Sequence, residues 1–526
     1  MAEYLSPGVY VEEVSTGPRP IEGVSTTTAA FVGFAPSGPA NQPILITNWT
    51  QYVETFGALE SDGTRTPHMS GAFLSHAVYG YFNNGGTRCY VTRIVPPARD
   101  KDSKTIDQPT TLQLPTRASK AIPSLTISTK GTPSSDVSVE VLPPHQEGDQ
   151  QPGEGIFTIK VKADGREETY ENVSIAKKHP RNVVEVVNQA SKLIEITEQT
   201  TSGALAERVP EQGAFVMKAS TPAVTNALPI RSNDFIGSLH DRSGIDGLEI
   251  AEDVSMIAVP DLMSAYQNGL IDKDGVKAVQ LALINHCERN RNRLAILDPL
   301  PDLTPQEVKR WREVDTNFDS SFAALYYPWV KINGPEGKPI AVPPSGHVAG
   351  IYARNDIERG VHKAPANEIV RGALEPMIQI TKGEQDTLNP IGVNCIRNFT
   401  GMGIRVWGAR TLSSDARWRY VSVRRLFNFV EKSVERGTQW AVFEPNDIML
   451  WSKIRRDITA FLTTVWRDGA LFGSTPNEAF YVKCDAELNP EEIRDRGILQ
   501  VEIGIAPVKP AEFVVLRFAQ YAGGGA

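Results

Sequence analysis

At 526 residues the chain exceeds what one hydrophobic core organises, so two to four domains are expected. Lys and Arg number 54 against 62 Asp and Glu, and the net charge of −8 argues against a nucleic-acid binder that works through bulk charge. No stretch approaches the roughly 20 apolar residues of a membrane span, and the start MAEYLSPGVY lacks the basic-then-apolar order of a secretory signal, so the expectation is a soluble chain folded in the cytoplasm with no direct membrane contact.

In chain order, the first element is a short run of β-formers, Val9, Tyr10, Val11, Glu12, Glu13 and Val14, set between Ser6-Pro7-Gly8 and Gly17-Pro18-Arg19-Pro20. Proline lacks an amide donor and cannot join a ladder, so this strand hangs on a stiff connector, and residues 1–25 read as an N-terminal arm. Strand signals at 27–34 (TTAAFVGF) and 44–47, a helix tracing Phe73, Leu74, Ala77, Val78, Tyr81 and Phe82, and a strand at 89–95 (CYVTRIV) open an α/β domain. From about 99 to 239 the composition shifts to Pro, Ser, Thr and Lys with short alternating runs at 124–128, 137–142 and 155–161, which predicts an inserted, mostly β domain on an outer surface. Its one helical candidate is 182–196. The α/β alternation then resumes: strands at 254–259, 294–297 and 322–326, a helix face of Val276, Val279, Leu283 and Cys287, and a capping box from Thr304 to Glu307 with Pro305 at the first helical position. Residues 26–98 and 240–385 thus form one α/β middle domain with a parallel sheet.

The C-terminal block, 386–506, carries two amphipathic helices. One buries Val423, Leu426, Phe427, Val430 and Val434; the other buries Trp451, Ile454, Ile458, Phe461, Leu462 and Val465 and is capped by Asn446 or Asp447. Two strands follow, with Phe480, Tyr481, Val482 and Lys483 in one and Val501, Glu502 and Ile503 in the other. A two-stranded sheet is marginal alone and has two free edges. The chain then ends in a C-terminal arm, 507–526, where Pro507 and Pro510 detach a last β-run of Phe513, Val514, Val515, Leu516, Arg517 and Phe518. Two loose strands and two free edges suggest exchange between copies by strand addition. The fold class is therefore a multidomain mixture of α/β and α+β: an α/β middle domain, a mostly β insertion, and a C-terminal assembly module completed by exchanged terminal strands.

Catalytic signals are weak. Asp261 and Asp298 follow strand ends, where ligands gather in parallel sheets, but Asp beside Pro is a common turn, and no phosphate loop, HExxH or GxSxG motif accompanies them. The run GMGIRVWG at 401–408 places its third glycine too late for a dinucleotide loop. His286, His347 and His362 lack ligand-spaced partners, and Cys89, Cys287, Cys395 and Cys484 lie far apart, so neither metal nor cofactor is expected. Seven arginines stand between 397 and 425 against one acid, Asp415. Of these Arg405, Arg410, Arg417, Arg419, Arg424 and Arg425 read as interface charges, because planar guanidinium suits bidentate contacts across protein surfaces. Lys453, Arg455 and Arg456 on the second helix read as a contact for a further partner.

The runs SPGVYVEEV, GLEIAEDVSMIAVPD, HCERNRNRLAILD, PPSGHVAGIYARND, LNPIGVNCIRNFTGMGIRVWGARTLSSDARWRYVSVRRL and IAPVKPAEFVVLRF together resemble contractile tail sheath proteins of phage tails and phage-like contractile injection systems. The resemblance covers both ends and the α/β middle, not the insertion. It implies a six-start helical homopolymer around an inner tube, built on a baseplate and closed by a terminator protein; the candidate tube contacts are the exposed faces of the two C-terminal helices, Lys453, Arg455 and Arg456 on the second and Glu431, Lys432 and Glu435 on the first, with ordinary solvated faces as the competing reading. It further implies a device assembled in a phage tail or in an injection particle that can be released from the cell. A static filament or capsid protein, and more remotely a hydrolase of the α/β type, are the competing expectations.

Overall fold

The computed structural model describes residues 20–60, 63–95, 111–117, 123–129, 137–145, 155–163, 166–176, 179–191, 193–198, 205–217, 230–335 and 337–517. The predicted N-terminal strand, Val9 to Val14, and Phe518 lie outside them. The chain forms two compact units: one of residues 27–354 and 365–419, the other of 1–26, 355–364 and 420–526.

The first unit is built on a nine-stranded sheet in the order Pro43–Ile46, Cys89–Arg93, Ala29–Gly33, Met256–Ala258, Leu294–Leu297, Ala323–Tyr327, Val393–Phe399, Gly403–Val406, Glu368–Ile369. The six strands from Cys89–Arg93 to Val393–Phe399 are parallel, and the outer ones close both sides antiparallel. Continuous apolar runs explain this: AAFVG, LAIL and AALYY are buried at every position, as strands covered on both faces must be. Thr304 caps the helix Pro305–Arg310, with Glu307 reaching back to the Thr304 amide at 2.8 Å, as the capping-box spacing requires.

Two features depart from the sequence reading. The strand Val393–Phe399 sits beside Ala323–Tyr327 in the large sheet, so the segment up to Arg419 packs with the α/β unit and not with the C-terminal module. The reason is burial: Val393, Asn394, Cys395 and Ile396 are covered on both faces, a central-strand pattern. The helix expected over 182–196 stops at Ala190. Ile194–Glu198 is instead a strand paired with Pro123–Thr129, because Ile194 and Ile196 alternate inward from a sheet face.

Within the insertion, a four-stranded sheet (Arg166–Ser174, Ile156–Ala163, Val137–Leu142, Gly213–Met217) and a three-stranded sheet (Ile194–Glu198, Pro123–Thr129, Thr111–Pro115) contribute to one core with the helix Val183–Ala190. Val139, Ile159, Val161, Leu125 and Ile127 are its centre.

In the second unit, helices Val421–Thr438 and Ile448–Arg467 pack through Leu426, Val430, Ile454, Ile458, Phe461 and Leu462, and Asp447 caps the second helix by accepting from the Leu450 amide at 2.8 Å. Against this pair lies the two-stranded antiparallel sheet of Phe480–Lys483 and Glu502–Ile505.

Candidate assembly surface

The small sheet has two faces of different chemistry. Phe480 is buried and Val482, Ile503 and Ile505 are half-buried against the helix core, whereas Tyr481, Lys483 and Glu502 face away from it. The Tyr481 ring lies over Gly504, where an added Cβ would stand 2.1 Å from a ring carbon, and the Tyr481 hydroxyl donates to Glu502 at 2.6 Å. That carboxylate pushes the Tyr481 phenol up from its usual range, and Glu487 does the same for the Lys483 ammonium at 2.6 Å. Among the described residues neither outer edge of this sheet has a strand partner. Val501, predicted as part of the second strand, is half-buried just ahead of it.

The C-terminal run does not fold back onto that edge. Its connector is pinned: Val508 donates to the Ala470 carbonyl at 3.1 Å, Leu471 and Pro507 form a bridge, and Glu512 accepts from the Tyr420 hydroxyl at 3.0 Å. Beyond this point Phe513, Val514, Val515 and Leu516 are 71–76% exposed, and Arg517 is exposed beside them, with no strand pairing. Four consecutive apolar side chains in water cost free energy that a monomer does not recover.

The root of the N-terminal arm is fixed as well, which shortens the arm expected over 1–25. Ile21 is buried against Gly437, Gly23 passes under the Phe429 ring, the Val24 amide donates to Ser433 Oγ at 3.0 Å, and Thr26 Oγ1 donates to Asp356 at 2.6 Å. Residues 21–26 therefore run as a strap along the helix Val421–Thr438, and both close approaches need glycine.

The arginines divide into two groups. Arg425 is 3% exposed and forms a bidentate ion pair with Asp356, itself 3% exposed, at 2.7 and 2.9 Å, while also donating to the Thr26 carbonyl. Arg424 is buried and donates to Asn428 and Glu431; Arg410 is buried and donates to the Asn389 carbonyl. These three are corrected from interface charges to internal braces, because each guanidinium finds its acceptors within its own unit. Arg405 is half-buried and bonded to Asn367 and the Met402 carbonyl, Arg417 is exposed and pairs with Asp415, and Arg419 is exposed. Only this second group faces outward. Helical spacing showed the apolar stripe of Val421–Thr438 but not the polar one of Arg424, Arg425, Asn428 and Ser433, which no period separates from a solvated face.

On the second helix Lys453, Arg455 and Arg456 are exposed; Arg455 donates to the Cys484 carbonyl and Arg456 reaches Asp457. Ahead of them Val442, Phe443, Ile448 and Met449 are 64–102% exposed, and Phe443 adopts a left-handed backbone conformation, φ 67°. The signal for this patch in the sequence is the VF pair in an interhelical loop, where polar residues are the rule.

Asp261 and Asp298 are buried structural acceptors. Asp261 takes the amides of Phe34, Phe73 and Leu74, and Asp298 takes the Ser345 amide and hydroxyl. Burial pushes both carboxyls up to about 7, against the lowering effect of those donors. Each closes a joint between a strand end and a helix start.

Residues 245–412 match the family model of the phage tail sheath protein central domain, and residues 413–520 that of the phage tail sheath C-terminal domain, together more than half of the chain. The tail sheath protein of Burkholderia phage BcepMu is 23% identical over 534 residues, covering 97% of this chain and 95% of that protein. The tail sheath protein of Vibrio phage KVP40 is 29% identical over 181 residues, 34% of this chain, which span about a quarter of its length. In fold, the chain is similar to the helical sheath of the anti-feeding prophage in its contracted state (TM-score 0.58, 23% identity, 98% of this chain and 100% of that one). It is also similar to the PVC sheath of an extracellular contractile injection system in its contracted state (TM-score 0.54, 22% identity, 99% of each chain). The chain belongs to the phage tail sheath proteins.

Proposed function

We propose that this protein polymerises by strand exchange into a helical sheath around an inner tube, is assembled extended on a baseplate beneath a terminator, and shortens to drive the tube through a target envelope. The observation that supports this reading is the pairing of a two-stranded sheet, without a strand partner among the described residues, with an apolar β-run, Phe513 to Leu516, held out in solvent by a pinned connector. Main-chain hydrogen bonds between an arm and a neighbour's sheet need not break when subunits rotate, so the mesh can change pitch with its links closed. The drive is a difference in burial between two packings: at about 25 cal/mol per Å², a few hundred Å² of extra apolar contact per subunit supplies several kcal/mol, summed over a cooperative polymer. Exposed Phe443, Ile448 and Met449 are available for such contacts, and the basic stripe of Lys453, Arg455 and Arg456 suits an acidic stretch of the inner tube.

Expression with the neighbouring tube and baseplate genes, followed by negative-stain microscopy, tests the reading. Rods of two lengths and two lattices are expected. A single lattice under every condition would make the protein a static filament.

A further inference from the structure

Resting on the helical-polymer reading, a sharper question is where the exposed loop between the two C-terminal helices docks. Beyond the carboxyl ends of the parallel strands Leu294–Leu297 and Ala323–Tyr327, where α/β sheets leave crevices, lies an apolar cavity of about 120 Å³ walled by Leu300, Leu303, Tyr327, Trp329, Met377 and Ile378, with exposed Asp302 on its rim. An apolar cavity of about 150 Å³ holds benzene, so this one, open at its rim, accepts a single aromatic ring. Leu300 and Leu303 also wall a second cavity of about 400 Å³, whose charges are Lys273, Lys277 and Arg310 against Asp274, Glu307 and Asp315. Glu307 is taken up by the Thr304 amide and hydroxyl, and Asp315 lies 3.9 Å from Arg310. That leaves Asp274 against two lysines one helical turn apart, neither in an ion pair among the described residues. The interhelical loop has the matching chemistry. Phe443 is fully exposed at φ 67°, a strained conformation for a bulky side chain, and Glu444 beside it is exposed and unpaired among the described residues. The loop is held in place: the Val442 amide donates to the Gln439 carbonyl and the Glu444 amide to the Ala441 carbonyl, each at 3.2 Å, while Asn446 accepts from the Trp451 indole at 2.8 Å and donates to the Ile498 carbonyl at 3.0 Å. A ring presented on a fixed loop loses little freedom on binding.

We propose that Phe443 of one copy seats in the apolar cavity of another, with Glu444 over Lys273 and Lys277 of that second copy. Neighbouring residues on the loop thus meet neighbouring cavities, the ring in the apolar one and the carboxylate in the one with two unpaired lysines. A buried aromatic anchor with a charge pair at its border is the composition that concentrates binding energy in protein interfaces. Knob and cavity are different surfaces, so the contact is heterologous, and its repetition generates an open helix of copies.

Two measurements on full-length rods, coexpressed with the neighbouring tube and baseplate genes, decide it. Treatment with a zero-length carbodiimide, which joins carboxylates to amines in contact, followed by mass spectrometry of bands from a denaturing gel, should find Glu444 linked to Lys273 or Lys277 in the dimer band and not in the monomer band, for rods of at least one length. Rods of either length without that link, or the link in the monomer band, overturn the docking and leave the polymer reading standing; a wild-type chain that forms no rods refutes both. For the anchor, Phe443→Ala should lower the yield of rods by roughly tenfold with circular dichroism unchanged. Met377→Trp, which fills the cavity from its wall, should do the same, and the double variant should lose no more than either single one, because the same contact is removed twice. A normal yield from Phe443→Ala, or losses that multiply in the double variant, overturns the docking; multiplied losses would place Phe443 against another surface, such as the inner tube.

Discussion

Asp356 and Arg425 hold each other in a place that water hardly reaches, and this decides what a substitution does. Removing one partner strands the other charge, so Asp356→Ala should cost about 3–5 kcal/mol in denaturant unfolding of the C-terminal unit, far more than an exposed pair such as Arg417 with Asp415. Asp298 gives a pH signature. Its folded value of about 7 lies above the unfolded 3.8, so between those values the folded chain keeps a proton that the unfolded chain releases, and the contribution is lost as pH rises. Asn can still bond the Ser345 amide and hydroxyl. The stability of the wild type minus that of Asp298→Asn should therefore fall by roughly 1.4 kcal/mol per pH unit from about pH 4 to 7 in denaturant titrations. The variant comparison isolates the carboxyl from His76 and His347, which burial lowers to about 4 and which titrate in the opposite sense.

At the scale of elements, the helices of the C-terminal unit are stabilised by burial, and Leu462, fully covered, should cost about 2–5 kcal/mol as Ala in thermal or denaturant unfolding. Truncation should behave otherwise. Removing 513–526 takes away no described core side chain, so the chain should remain a folded monomer by circular dichroism and light scattering yet form no rods; loss of the fold would show that the run stabilises its own subunit. Elements with a strong period were legible in the sequence: the parallel strands through their unbroken apolar runs, the two amphipathic helices through their stripes, the capping box through its spacing. What escaped was set by tertiary context. Nothing local tells that NCIRNF joins the sheet of the preceding domain, that Ile194 and Ile196 belong to a strand, or that two adjacent arginines turn inward. Of the assembly surface, the sheet and its free edges were readable from alternation and proline placement, while the pinning of both arm roots depends on partners distant in sequence.

For the whole molecule, the energy of shortening should reside in the packing of subunits. Calorimetry on extended sheaths should record an exothermic transition that proceeds without nucleotide; a requirement for ATP in isolated sheaths would refute it. Lys453→Glu should weaken co-sedimentation with tubes while leaving subunit folding intact, since its side chain is exposed; Arg456 is kept because it pairs with the buried Asp457. The strap formed by residues 21–26 then acquires a mechanical meaning. Its attachments, from Gly437 back to Arg425, are spread over thirteen residues of one helix, about 18 Å. Tension arriving from a neighbour through the N-terminal run and directed along that helix would load a seated isoleucine, a glycine under an aromatic ring, a backbone hydrogen bond and a buried ion pair together, so that yielding requires them to shear as a set and the firing stroke is delivered to a firm anchorage instead of unravelling it.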